Sequence, residues 1–206
     1  MTRIALVRHG QTSWNAANRF QGSSDVELND IGRDQARQGA AWLAESLPDA
    51  QWDSIRFSPL SRAAETGGII GDALTIDAQG ALPSLTERDW GLAEGLTFEE
   101  CVERWPQMGE VDEFAARELI PGAEPPDLVI ARGRYALSTL VYRFPDAQVI
   151  AVSHGTILRL AVNDLLGGQV GFVPNTGVIV LDAWHEDGEL AVEFVKKSWD
   201  ATLSSR

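Results

Sequence analysis

Six short runs rich in β-branched and apolar residues constrain this chain more than any other feature. They are IALV (4–7), SIRF (54–57), LTI (74–76), QVIAV (148–152), GVIVLD (177–182) and LAVEFV (190–195). Each has the length and composition of a strand. Between most of them, apolar residues recur at helical spacing: Ala36, Ala40, Leu43 and Leu47 in 30–47, Leu128, Ala131, Tyr135 and Leu140 in 128–142, and Ile157, Leu158, Ala161 and Leu165 in 156–166. Strands that alternate with helices predict an α/β fold, a mostly parallel sheet covered on both faces. The last two strands are joined by the polar stretch AWHEDGE, which predicts a hairpin and one antiparallel edge strand.

A chain of 206 residues predicts one domain, 1–206. Residues 91–124 break the alternation, with six Glu between 94 and 113, and are expected to form a helical cap inserted over the sheet edge. The single cysteine, Cys101, excludes an internal disulfide and reads as a packing residue. No apolar run reaches 18 residues and the N-terminus lacks a signal-peptide layout, so a cytoplasmic protein is expected. The net charge of −13 argues against nucleic acid or an anionic membrane as partner. Of the cations, 15 are arginines and two are lysines, so any anion site here must be built from arginine.

Ligands of open α/β sheets bind at the carboxyl ends of strands. Three strand ends carry polar residues that a core does not need: Arg8-His9-Gly10, the stretch SPLSRAAET after SIRF, and Ser153-His154-Gly155. In parallel strands these corners share one rim. At the second corner Ser58 is a suitable N-cap and Pro59 suits the first helical position, which puts Arg62 in the first turn. A cation there is unfavourable for the helix unless an anion joins it. Two arginines can grip a phosphoryl group. A neutral imidazole is a competent nucleophile, and a second imidazole, protonated, can stabilise developing charge. Glu87, Asp89 and Glu94 all lie near enough in sequence to donate the proton a leaving alkoxide needs. No set of residues with metal-ligand spacing accompanies these, so neither metal nor cofactor is expected.

Five blocks in this order, LVRHGQTSWN, LNDIGRDQA, FSPLSRAAET, LTERDWGLAEG and VSHGTILR, resemble the histidine phosphatase superfamily, which includes the cofactor-dependent phosphoglycerate mutases. The resemblance implies a three-layer α/β/α sandwich. It also implies that His9 is the transiently phosphorylated nucleophile and Glu87 the general acid and then base. Arg8, Arg62 and His154 would form the phosphate pocket, with Asn15 and Gly155 as further phosphate contacts and Gln21 and Gly22 lining the substrate pocket. The implied partner is a small phosphorylated metabolite. Phosphoglycerate mutases carry lysine and paired arginines after the glutamate, whereas Arg104 and Arg117 are the cations of the corresponding stretch here. That difference favours a phosphatase over a mutase. A non-catalytic binding protein on the same fold is the third alternative, and the full set of site residues argues against it. Glu124 faces either the pocket or solvent, His185 reads as structural, and Gly67 and Gly68 sit in a helix without a functional account.

Overall fold

The protein is described by a computed structural model over residues 1–168 and 170–199; the last seven residues of the expected 1–206 domain lie outside the described residues. The strands are β1 (Thr2–Arg8), β2 (Ser54–Phe57), β3 (Ala78–Ala81), β4 (Gln148–Ser153), β5 (Val178–Glu186) and β6 (Glu189–Lys197). They form one sheet in the order β3-β2-β4-β1-β5-β6. The helices are α1 (Ser13–Ala16), α2 (Asp30–Ser46), α3 (Ser61–Leu74), α4 (Phe98–Arg104), α5 (Glu113–Glu118), α6 (Pro126–Arg143) and α7 (Gly155–Leu166).

The period of two along β1 builds both halves of the core. Ile4 and Leu6 pack with Leu137 and Leu140 of α6 and Leu158 and Val162 of α7. Ala5 and Val7 face the other way, onto Ala40 and Leu43 of α2 and Ala63 and Ile70 of α3. All four strand residues are fully buried. A run that is apolar on both faces suits only the middle of a sheet covered on both sides. The result is an α/β/α sandwich. Gly67 of α3 lets the helix lie close on β2, since a Cβ there would sit 3.3 Å from Phe57.

One expectation changes. LTI is not a strand: Leu74 ends α3, Thr75 caps it in the left-handed conformation at φ 59°, and β3 begins at Ala78. Leu74 and Ile76 pack on the core beneath α3, which explains their apolar character. The true edge strand is exposed along its length and so carries no apolar signal. The hairpin β5–β6 is present: the edge strand β6 pairs antiparallel with β5, which in turn pairs antiparallel with β1.

Residues 91–124 hold α4, α5 and two short 3₁₀ turns. They enclose a cluster of their own: Ala93, Cys101, Met108, Ala116 and Ile120, with Trp90. Cys101 is buried in it. Trp105 packs on this cluster and Trp199 on the sheet. Among the described residues no helix is long and apolar enough to cross a membrane.

Register places the functional corners. In the parallel pair β1–β4, Arg8 stands opposite Ser153, and in β2–β4, Phe57 stands opposite Val152. The three strands therefore end level, and the residues that follow them, His9, Ser58 and His154, emerge on one rim.

Candidate active site

A cavity of about 520 Å³ opens at this rim. His9, Arg8, Arg62, Glu87 and Gly155 line it, as do Asn15, Gln21 and Gly22.

His9 is almost wholly buried, with its Nδ1 2.6 Å from the Gly10 carbonyl oxygen. A carbonyl only accepts, so Nδ1 carries the hydrogen and Nε2 keeps its lone pair. Burial pushes the His9 pKa well below 6.5, and the Arg8 and Arg62 charges push it the same way, against the Gly10 bond. Both effects favour the neutral imidazole, whose Nε2 has no hydrogen-bond partner among the described residues.

His154 does not line the cavity. It is fully buried behind His9, with ring centroids 5.1 Å apart. Its Nδ1 accepts from Arg62 Nε at 3.3 Å, so its hydrogen is on Nε2, which donates to Ser58 Oγ at 2.7 Å. Burial first, then Arg62, His9, Arg8 and Arg132, hold its pKa well below 6.5. Burial, and then the surrounding guanidinium groups, thus disfavour the expected imidazolium. Ser58 spends its hydroxyl on this ring and does not cap α3, which starts at Ser61. Asp25 takes the capping role: its Oδ1 accepts from the Ser61 amide and hydroxyl at 2.8 and 2.7 Å.

The two arginines are held by backbone carbonyls. Arg62 is fully buried and donates to Gly22 and Ser24 oxygens, each at 2.7 Å. Arg8 donates to the Val173 oxygen at 2.7 Å, and its Nε is buried without a partner. Burial pulls the Arg8 pKa down to about 10, partly offset by Glu87. A Cβ at Gly155 would stand 3.3 Å from Arg8 Nε, so glycine gives that guanidinium its room.

Two amides are anchored through their oxygens. Asn15 Oδ1 accepts from Thr12 and Asn175, and Gln21 Oε1 accepts from Thr12 Oγ at 2.8 Å. Neither amide NH2 has an acceptor among the described residues, so both remain donors for a ligand. Asn15 is therefore at once part of the α1 capping box and available to the cavity.

Of the three candidate acids, only Glu87 lines the cavity. Its Oε1 accepts from the amides of Arg88 and Ile157, and its Oε2 from Thr156 at 3.0 Å. Glu87 thus caps the N-terminus of α7, whose own N-cap, His154, makes no side-chain cap bond. Asp89 accepts from Gly91 at 2.6 Å. Glu94 braces the 22–24 loop through Ser23, Ser24 and the Trp90 amide. Burial works against the Glu94 carboxylate, but those hydrogen bonds together hold its pKa below the usual range. Gly22 makes this brace possible: at φ +55° a Cβ would lie 2.0 Å from Glu94 Oε1.

The chain matches the histidine phosphatase superfamily (branch 1) over residues 4–195. The chain belongs to that superfamily. It is 33% identical over 169 residues to an uncharacterized phosphatase, PhoE, of Bacillus subtilis, covering 82% of this chain and 80% of that protein. It is 31% identical over 214 residues to a metal-independent phosphoserine phosphatase of Arabidopsis thaliana, covering 97% and 88%. A mycobacterial glucosyl-3-phosphoglycerate phosphatase solved with VO3 superposes with a TM-score of 0.79 at 28% identity, covering 97% of this chain and 99% of that one. The protein is a phosphatase of the histidine phosphatase superfamily.

Several residues that shape this histidine phosphatase site gave no signal in sequence. Arg132 of α6 bonds the backbone oxygens of Ser84, Thr86 and Glu87, strapping down the segment that carries Glu87. Glu124 does not line the cavity; partly exposed, it pairs with Arg132 at 2.7 Å. Arg88 is buried over the Trp90 ring and pairs twice with Glu118. Asn175 fixes Asn15 and the His9 carbonyl. His185 of β5 contacts Ser138 of α6, and neither lines the cavity. An arginine in a helical pattern or an asparagine in a loop looks like ordinary solvated surface until the fold turns it inward.

Proposed function

We propose that this protein hydrolyses a small phosphomonoester through a phosphohistidine intermediate without a metal. One observation carries the reading: His9 is neutral, with Nδ1 bound to its own loop and Nε2 free at a cavity walled by Arg8 and Arg62. The arginines, with the Asn15 and Gln21 amides, hold the phosphoryl oxygens. The His9 Nε2 lone pair attacks phosphorus, forming the N–P bond as the P–O bond to the leaving group breaks. Glu87, carrying the proton, gives it to the leaving oxygen. Water then attacks phosphorus while the Glu87 carboxylate takes its proton. The N–P bond breaks, its electrons return to Nε2, and phosphate departs. His154 acts through Arg62 and Ser58 as a positioning residue. The relatives named for phosphoserine and glucosyl-3-phosphoglycerate support a small phosphorylated metabolite as the substrate.

The test is phosphate release from p-nitrophenyl phosphate and 3-phosphoglycerate in EDTA, with rapid acid or alkaline quench. Release that EDTA spares, an alkali-stable and acid-labile phosphoenzyme, and loss of both in His9→Ala are expected. Conversion of 3-phosphoglycerate to its 2-isomer with little free phosphate would overturn hydrolysis in favour of a mutase.

A further inference from the structure

Residues 86–90 belong to no helix or strand, yet this segment carries Glu87 to the cavity. Such a segment has to find partners for its carbonyl groups outside any ladder. The four consecutive oxygens of residues 84–87 are all bound by side chains from elsewhere. Ser153 Oγ donates to the Leu85 oxygen at 2.6 Å, and Arg132 donates to those of Ser84, Thr86 and Glu87. A guanidinium has five N–H donors. Arg132 spends three on these carbonyls. The other two go to Glu124, Nε to Oε1 at 3.1 Å and Nη2 to Oε2 at 2.7 Å. No donor is left for the phosphate site, and Arg132 does not line the cavity. The pair is shielded, with side chains 24% and 19% exposed, so it is held more firmly than a surface ion pair.

Glu124 gives the pair a second connection. It is the last residue of the 91–124 cap, and it meets the residues that lead into that cap. Its amide donates to the Asp89 oxygen at 2.9 Å, and its own carbonyl accepts from Arg88 Nε at 2.7 Å. Its Oε2 also accepts from the Asp89 amide at 3.3 Å. Glu87 thus stands just before a neck whose two chain segments are clasped by the partner of Arg132. Proton transfer needs donor and acceptor within about 2.6–3.2 Å, so a displacement of about 1 Å in the Glu87 backbone takes its carboxyl out of reach. We propose that Arg132, held by Glu124, is a positioning residue for the proton transfer: it fixes the backbone at Glu87 so that the carboxyl meets the leaving oxygen. This rests on the phosphatase reading, in which Glu87 is the acid.

The test compares kcat/KM for glycerol 3-phosphate, whose alkoxide leaving group needs the proton, with kcat/KM for p-nitrophenyl phosphate, whose leaving group does not. Arg132→Lys keeps the charge and loses the fork. It should lose at least about tenfold on the alkyl ester and less than about threefold on the aryl ester, the same bias as Glu87→Gln. In the Glu87→Gln background, Arg132→Lys should cost less than about a further twofold on the alkyl ester, since it acts through a group already disabled. Arg134→Lys, on the same helix and paired with Asp164, should leave both esters unchanged. Glu124→Gln, which leaves Arg132 in place, should show the bias should Arg132→Lys fail to fold. Equal losses on the two esters, full activity of Arg132→Lys, or additive losses in the double variant would overturn the positioning role while Glu87→Gln keeps its bias. An unbiased Glu87→Gln would instead bring down the acid assignment, and the positioning role with it.

Discussion

Arg62 Nε lies 3.3 Å from His154 Nδ1, and the opposite nitrogen of that ring lies 2.7 Å from Ser58 Oγ. One buried histidine therefore connects Arg62 to the corner after β2. Ser58→Ala should leave the His154 Nε2–H without its acceptor. A lost buried hydrogen bond of this kind costs about 1–2 kcal/mol, so kcat/KM on p-nitrophenyl phosphate should fall about tenfold. Steady-state kinetics of that variant will check it, and unchanged activity would remove His154 from any positioning role.

His9→Ala removes the nitrogen proposed as the nucleophile. Turnover should drop by at least about a thousandfold, with phosphate analogues still bound by Arg8 and Arg62. Phosphate release and vanadate binding, measured on one preparation, separate the two effects.

Glu87→Gln should matter in proportion to the leaving group. An alkyl phosphate needs the proton, so its kcat should fall about a hundredfold or more, while p-nitrophenyl phosphate should lose far less. Equal losses on both esters would assign Glu87 to capping α7 alone. Because Glu87 accepts three backbone amides, Glu87→Ala should also lower stability by about 1–3 kcal/mol, read as a urea midpoint.

The pH dependence of stability follows from the two histidines. Their folded-state pKa values lie well below the 6.5 of the unfolded chain, chiefly through burial. Between those values the unfolded chain binds protons that the folded chain refuses. Stability is thus fully present above pH about 6.5 and falls as pH drops towards the folded values, by up to about 1.4 kcal/mol per pH unit for each histidine. Urea unfolding from pH 8 to 5 should show a shallower decline for His154→Asn than for wild type. The acid limb of kcat/KM due to His9 should likewise lie below pH 6.5.

Gly22→Ala should destabilise the protein by about 1–3 kcal/mol and disturb the site together. The new Cβ meets Glu94 Oε1 in a left-handed conformation, and the Gly22 carbonyl is an acceptor for Arg62. A lowered melting temperature with a raised KM is the expected pair of results.

The sequence by itself determined the alternation of strands and helices, because β1 and its neighbours are apolar on both faces and the helices keep their period. It also determined the RHG and SHG corners, because polar groups at the ends of buried strands have no structural excuse. Spacing marked Glu87 only within a group of three acids, and the family resemblance singled it out. Register decided the rest. Level strand ends bring His9, Ser58 and His154 together, and the segment after β3, strapped by Arg132, carries Glu87 to the start of α7 while Glu94 turns to the 22–24 loop. The low pKa of His154 and the Arg132 strap were invisible in sequence for the same reason. Protonation and pairing depend on burial and on neighbours more than 30 residues away, Arg62 for one and the Glu87 backbone for the other, and only the tertiary structure sets those distances.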